Sequence, residues 1–126
     1  MIISMVYIGV DIEEVTRFEK LISQKSKHAA KLFSPSEWEY GSSKKNAQTL
    51  TGIWCAKEAI VKAFSAITVL DIRNVHIAHY ANGAPFVSQI VNFDFNDSYR
   101  IALSISHTKH FATATCLVYP IKGIAE

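Results

Sequence analysis

The sequence predicts a single α+β domain, and three observations carry that prediction. Apolar residues recur at helical spacing in the first half, apolar and polar residues alternate at strand spacing in the second, and Asn82-Gly83 lies between two of the alternating runs. Helices gathered ahead of short antiparallel strands argue for an α+β arrangement rather than repeating parallel units. With 126 residues and 49% hydrophobic content, the chain has material for one core, so residues 1–126 are read as one domain.

The elements follow in order. Met5 to Ile12 reads as a strand, and Asp11 and Glu13, two positions apart, leave it on one face. Glu14 to Lys31 reads as a helix with Phe18, Leu21 and Ile22 on one side. Ser34-Pro35-Ser36-Glu37 is a helix start: an N-cap serine, proline at the first helical position and glutamate three residues after the serine. Ser34 and Glu37 are therefore read as structural. A helix of about 18 residues then ends near Phe64. Leu50, Ile53, Trp54, Ile60, Val61 and Phe64 form its apolar stripe, Lys57 projects from the middle of that stripe, and Glu58 and Lys62 lie one turn apart beside it. Ile72 to Tyr80 and Phe86 to Phe93 form a hairpin around Asn82-Gly83. Arg100 to Ser106 and Phe111 to Tyr119 are two further strands, joined by His107-Thr108-Lys109-His110.

Composition excludes several classes of function. A net charge of +2 is too mild for a nucleic-acid-binding protein, so the clusters Lys25, Lys27, His28, Lys31 and Lys44, Lys45 are read as solvated surface or as long-range attraction for a phosphate-rich ligand. The apolar stretch Met1 to Val10 lacks a basic leader and runs into Asp11, so neither a signal peptide nor a membrane span is expected. A cytosolic location follows. Cys55 and Cys116 fit no metal spacing or disulfide framework and read as buried thiols.

The charged residues admit a bland reading and a chemical one. In the bland reading Lys57 snorkels to water, Glu58 and Lys62 decorate a surface, and Glu13 suits the start of the next helix. In the chemical reading Asp11, Glu13 and Glu58 supply three hard oxygen donors, a set suited to Mg²⁺.

Five segments favour the chemical reading. These are Gly9-Val10-Asp11-Ile12 with Arg17-Phe18; Leu32-Phe33-Ser34-Pro35-Ser36-Glu37; Trp54-x-x-Lys57-Glu58-Ala59-x-x-Lys62-Ala63; Asn82-Gly83-x-Pro85; and Ser104-Ile105-Ser106-His107-Thr108. In that order, and over about nine tenths of the chain, they resemble the holo-[acyl-carrier-protein] synthase family of 4′-phosphopantetheinyl transferases. The resemblance implies that family's fold, with an N-terminal strand and helices followed by an antiparallel sheet packed on the long central helix. It implies transfer of the 4′-phosphopantetheine group from coenzyme A to a serine of an apo acyl carrier protein, in lipid metabolism, with Mg²⁺ as cofactor and a homotrimer whose active sites lie between subunits.

Breaking the pyrophosphate bond of coenzyme A builds charge on the bridging oxygen, so cations belong beside the diphosphate. The resemblance accordingly implies Asp11 and Glu58 as Mg²⁺ ligands, and Glu13 as a third acid, as in the larger, two-copy branch of the superfamily. Lys62 then reaches a phosphate. Lys44, Lys45, Lys57, Gly83, Pro85, Ser106 and His107 are implied as donor-binding positions, and Arg17 as the residue facing the acidic carrier. Glu58, a metal-bound water and His107 stay open as the group that deprotonates the serine. Three departures stand beside the match: Ser65 to Leu70 lacks the family's glycine-rich loop, Ala84 occupies a common lysine position, and position 13 is glutamate. Two other readings stay open: a catalytically silent module that binds coenzyme A or a carrier protein, favoured by the missing glycine loop, and a Mg²⁺-dependent nucleotide hydrolase that uses the same acids with water as acceptor.

Overall fold

The computed structural model describes residues 5–24, 27, 31–44 and 46–121. Strand β1 (Tyr7–Glu14) is followed by helices α1 (Val15–Ser23), α2 (Pro35–Ser42) and α3 (Gln48–Phe64), then by strands β2 (Val75–His79), β3 (Pro85–Ile90), β4 (Tyr99–His107) and β5 (Phe111–Pro120). Alternation in β5 buries Ala112, Ala114, Cys116 and Val118 on one face. Both edges of β5 find partners, giving an antiparallel sheet in the order β1-β5-β4. β1 thus joins the C-terminal strands rather than standing apart ahead of the helices.

α3 lies across the buried face of this sheet, and its apolar stripe supplies much of the core. Leu50, Ile53, Ile60 and Phe64 are completely or almost completely buried, each worth about 1.5–3 kcal/mol of transfer free energy. Two glycines set how closely the helix approaches. A Cβ on Gly9 would collide with the Ala59 carbonyl oxygen, so α3 rests directly on the β1 backbone. A Cβ on Gly52 would sit 2.7 Å from Ile105 Cγ2 of β4.

The start of α2 follows the predicted capping box: Ser34 Oγ accepts from the Glu37 amide at 3.2 Å, and Glu37 Oε1 accepts from the Ser34 amide at 2.7 Å. Glu37 also does something its capping role does not require. Its side chain is fully buried, Oε1 accepts from Lys57 Nζ at 2.6 Å, and Oε2 accepts from the Ile77 amide at 2.7 Å, beside a bulge that shifts the β2-β3 register. One carboxylate therefore fastens α2, α3 and β2 together.

Three element boundaries differ from the sequence reading by three residues or more. Ile72–Asn74 is a 3₁₀ turn rather than strand, because Asp71 caps it by accepting from the Arg73 amide at 2.9 Å. β3 stops at Ile90, since Asn92 adopts φ 65°, which breaks an extended run. The first helix closes at Ser23, and the predicted continuation at Lys25, Ser26 and His28 to Ala30 lies outside the described residues.

Among the described residues the opposite face of the sheet is exposed, apolar along β1 and at Leu117, with Ser and Thr beyond. Ile8, Val10 and Ile12 are 62%, 49% and 65% exposed. They continue across the sheet in the rows Ile8-Leu117-Ala102, Val10-Thr115-Ser104 and Ile12-Thr113-Ser106. A patch of this kind on a sheet face marks an interaction surface.

Candidate active site

Gly9 brings α3 against β1, and that contact sets Glu58 and Lys62 beside Asp11. Lys62 Nζ donates to the Val10 carbonyl at 3.0 Å and to Asp11 Oδ1 at 3.1 Å. Asp11 Oδ2 is buried and has no hydrogen-bond partner among the described residues. An unsatisfied carboxylate oxygen is costly and points to an unfilled role. The carboxyl of Glu58 is pushed above its ordinary value of 4.5, first by burial and then by the negative charge of Asp11, against the opposing pull of Lys62 and Arg17. Two carboxylates of this kind, one holding a free oxygen, fit a divalent cation. Mg²⁺ in particular is commonly held by one or two carboxylates together with substrate phosphates and water.

Glu13 stands apart from that pair. Its Oε2 accepts from Arg17 Nη1 at 2.6 Å, one helical turn away, and Arg17 lies over the Phe18 and Trp54 rings at 5.5 and 5.6 Å. No three His, Cys, Asp or Glu side chains among the described residues converge as a ready-made metal cage. Glu13, expected as a third metal ligand, has its carboxylate engaged by Arg17 in this arrangement.

A second correction concerns Lys57. As a donor-binding residue it should face solvent, yet its side chain is 0% exposed and its ammonium is spent on Glu37, with the Phe33 ring 5.7 Å away. Burial lowers its pKa while Glu37 pulls it back up. It neither snorkels nor reaches a ligand. The bland reading of Glu58 and Lys62 as surface decoration fails as well, because Lys62 turns across to β1.

His107 belongs to a different part of the sheet. It ends the inner-face row Glu13-Ala112-His107, two strand spacings or about 10 Å from β1. There a cavity of about 200 Å³ brings together His107, Gly83 and Pro85, as the sequence expects, with Gly52, Tyr40 and His79. Gly83 turns the hairpin at φ 91°. Ser106 is not brought to this cavity: strand alternation sends its side chain to the outer face with Ile12 and Thr113. Lys44 stands nearby with its ammonium 4.7 Å from the Tyr40 ring centre, whereas Lys45 lies outside the described residues.

Sequence reasoning missed Tyr40 and His79, whose rings stack at 4.0 Å and 8°. Nothing in one sequence links a position on α2 to one on β2. The imidazole of His79 is held below its ordinary pKa by burial and by Lys44, with Glu37 opposing. The segment after Lys62 departs from a phosphate cradle in a specific way. The amides of Ser65, Ile67 and Thr68 donate to the carbonyls of Lys62, Phe64 and Phe64, so they finish the helix instead of facing a ligand. The two thiols are inert: burial pushes both Cys55 and Cys116 up to about 12, and Cys55 donates to the Ala112 carbonyl at 3.4 Å.

Known proteins share this fold. Residues 7–116 match the family model of the 4′-phosphopantetheinyl transferase superfamily. The holo-[acyl-carrier-protein] synthase of Streptococcus thermophilus (strain CNRZ 1066) is 30% identical over 118 residues, covering 90% of this chain and 95% of that protein. The ACPS–CoA complex of Chronobacterium ammoniagenes superposes with a TM-score of 0.76 at 25% identity, over 93% of this chain and 98% of its own. Helicobacter pylori holo-[acyl-carrier-protein] synthase in complex with coenzyme A superposes with a TM-score of 0.74 at 29% identity, over 88% and 98% respectively. With its fold, its motifs and more than four fifths of its length matched, the chain belongs to the 4′-phosphopantetheinyl transferase superfamily.

Proposed function

We infer that this chain is a holo-[acyl-carrier-protein] synthase. It moves the 4′-phosphopantetheine group of coenzyme A onto a serine hydroxyl of an apo acyl carrier protein and releases adenosine 3′,5′-bisphosphate. The observation that carries this reading is the Asp11-Glu58-Lys62 cluster, with its unpartnered Asp11 Oδ2. Asp11 and Glu58 would hold Mg²⁺, which when bound offsets the charge growing on the diphosphate. Lys62, half-exposed on a flexible stem, exchanges Asp11 for a diphosphate oxygen and stabilises the same charge. His107 supplies a further donor group at the cavity, which Gly83 and Pro85 also line, and Lys44 adds positive charge beside the neighbouring Tyr40 ring. Glu58 and His107 are the side chains able to accept the serine proton.

The halves of this site support an assembled enzyme. Asp11 lies on β1 at one edge of the sheet with Glu58 of α3 beside it, the cavity lies beside β4 at the other edge, and the exposed face lies between them on the reverse side. We take the working form to be a homotrimer packed through that face, with active sites completed by neighbouring chains. The cytosolic location proposed for it is supported by two free, buried thiols. Among the described residues no helix is long and apolar enough to cross a membrane.

A second reading has one observation in its favour. The amides after Lys62 are consumed by the helix end, which suits a relative that binds donor or carrier without turnover. The experiment that decides is incubation with coenzyme A, Mg²⁺ and a panel of apo carrier proteins, read by intact mass. One added phosphopantetheinyl group on a serine of at least one carrier is expected. Coenzyme A binding without any mass gain would establish the silent module. Adenosine bisphosphate released with no carrier present would indicate a hydrolase.

A further inference from the structure

Arg17 is placed at a junction. Its guanidinium reaches back across one helical turn to Glu13, and its charge is one of two that oppose the upward shift of the Glu58 carboxyl. The same side chain is 52% exposed, on the first turn of α1, where the family resemblance has it face the acidic carrier. Glu13 in turn leaves β1 on the same face as Asp11, about 7 Å further along the strand. Three acids and two cations, Lys62 and Arg17, thus share one rim. Lys62 pairs with Asp11 and Arg17 with Glu13.

From this we propose that Glu13 is a positioning residue, a latch that holds Arg17 on the acid rim until a divalent cation arrives, so that metal loading and carrier docking strengthen each other. The idea rests on the transferase reading above, and on the Glu13–Arg17 pair, which no other part of that reading uses. A cation at Asp11 and Glu58 draws the Glu13 carboxylate toward it, directly or through water, and weakens its hold on Arg17. The released guanidinium, still resting on the Phe18 and Trp54 rings, is free to engage a carrier carboxylate. Linkage makes the effect reciprocal: a carrier that draws Arg17 away leaves Glu13 free to favour the metal. An exposed pair of this type is worth little, so the coupling should be only about two- to fivefold.

The test uses binding rather than turnover. An apo carrier whose acceptor serine is replaced by alanine is titrated into the enzyme at fixed ionic strength, with and without Mg²⁺ plus adenosine 3′,5′-bisphosphate. For the wild type we expect the carrier affinity to rise about two- to fivefold when the metal is present. In Glu13→Gln the metal-free affinity should already match the metal-loaded wild type and respond little to the metal. If Glu13→Gln keeps the wild-type response, or if the wild type shows none, the latch is refuted. Arg17→Glu separates the premise from the inference: unchanged carrier affinity in that variant would overturn the docking role of Arg17, while a large loss alongside an unaltered Glu13→Gln response would overturn only the latch.

Discussion

Asp11 offers one oxygen to Lys62 and keeps the other buried without a partner, while Glu58 is burdened by its own burial and by Asp11. For a carboxyl whose folded pKa is raised, the stabilising contribution is complete below the unfolded value of 4.5 and is lost as pH rises through the folded value. At neutral pH an ionised Glu58 therefore works against folding. Glu58→Gln should raise the melting temperature above pH 4.5, with the gain fading toward acid, and Mg²⁺ should stabilise the wild type but not the variant, as followed by thermal unfolding across a pH series. Asp11→Ala and Glu58→Gln should each lower transfer by roughly 10²–10³-fold or more, with Glu13→Ala milder. Equal melting curves for wild type and Glu58→Gln would remove the electrostatic argument.

At the scale of elements, the buried Glu37–Lys57 pair is the fastener. Removing one partner strands a charge in the core, so Lys57→Ala should cost about 3–5 kcal/mol in denaturant unfolding. The double variant Glu37→Gln, Lys57→Met should recover part of that loss, because it removes both charges at similar volume. A mild Lys57→Ala would mean that water reaches the pair. This fastener also shows where the sequence is legible. The capping motif and the 3.6-residue stripe are local patterns, so α2, α3, the Asn-Gly hairpin and the two last strands can be read directly. Asp11, Glu58 and Lys62 follow from spacing together with the resemblance. The role of Lys57 is not legible in the sequence because its periodicity gives its face but not its partner, and Glu37 is twenty residues away in sequence. Tyr40 with His79, the pairing of β1 with β5, and the outward turn of Ser106 depend on long-range register, which local pattern does not encode.

At the scale of the whole molecule, the uncovered sheet face is the feature to perturb. Val10→Asp puts a charge into the Val10-Thr115-Ser104 row without touching the core. We expect a folded monomer by sedimentation with little transfer activity, against a trimer for the wild type; a variant that stays trimeric would place the interface elsewhere. The same sheet has a history in time. Gly9 pairs with Cys116, so β1 leaves the ribosome more than a hundred residues ahead of the strand that receives it, a wait of roughly 5–20 s at ordinary elongation rates. Glu37 likewise emerges 20 residues before Lys57 and 40 before Ile77, and its carboxylate has to stay hydrated until both arrive. The helices cannot settle early around a half-satisfied acid. Commitment to the native sheet is postponed until β5 has been made, and throughout that interval Ile8, Val10 and Ile12 travel as an unpaired apolar strand, a segment open to pairing with other chains.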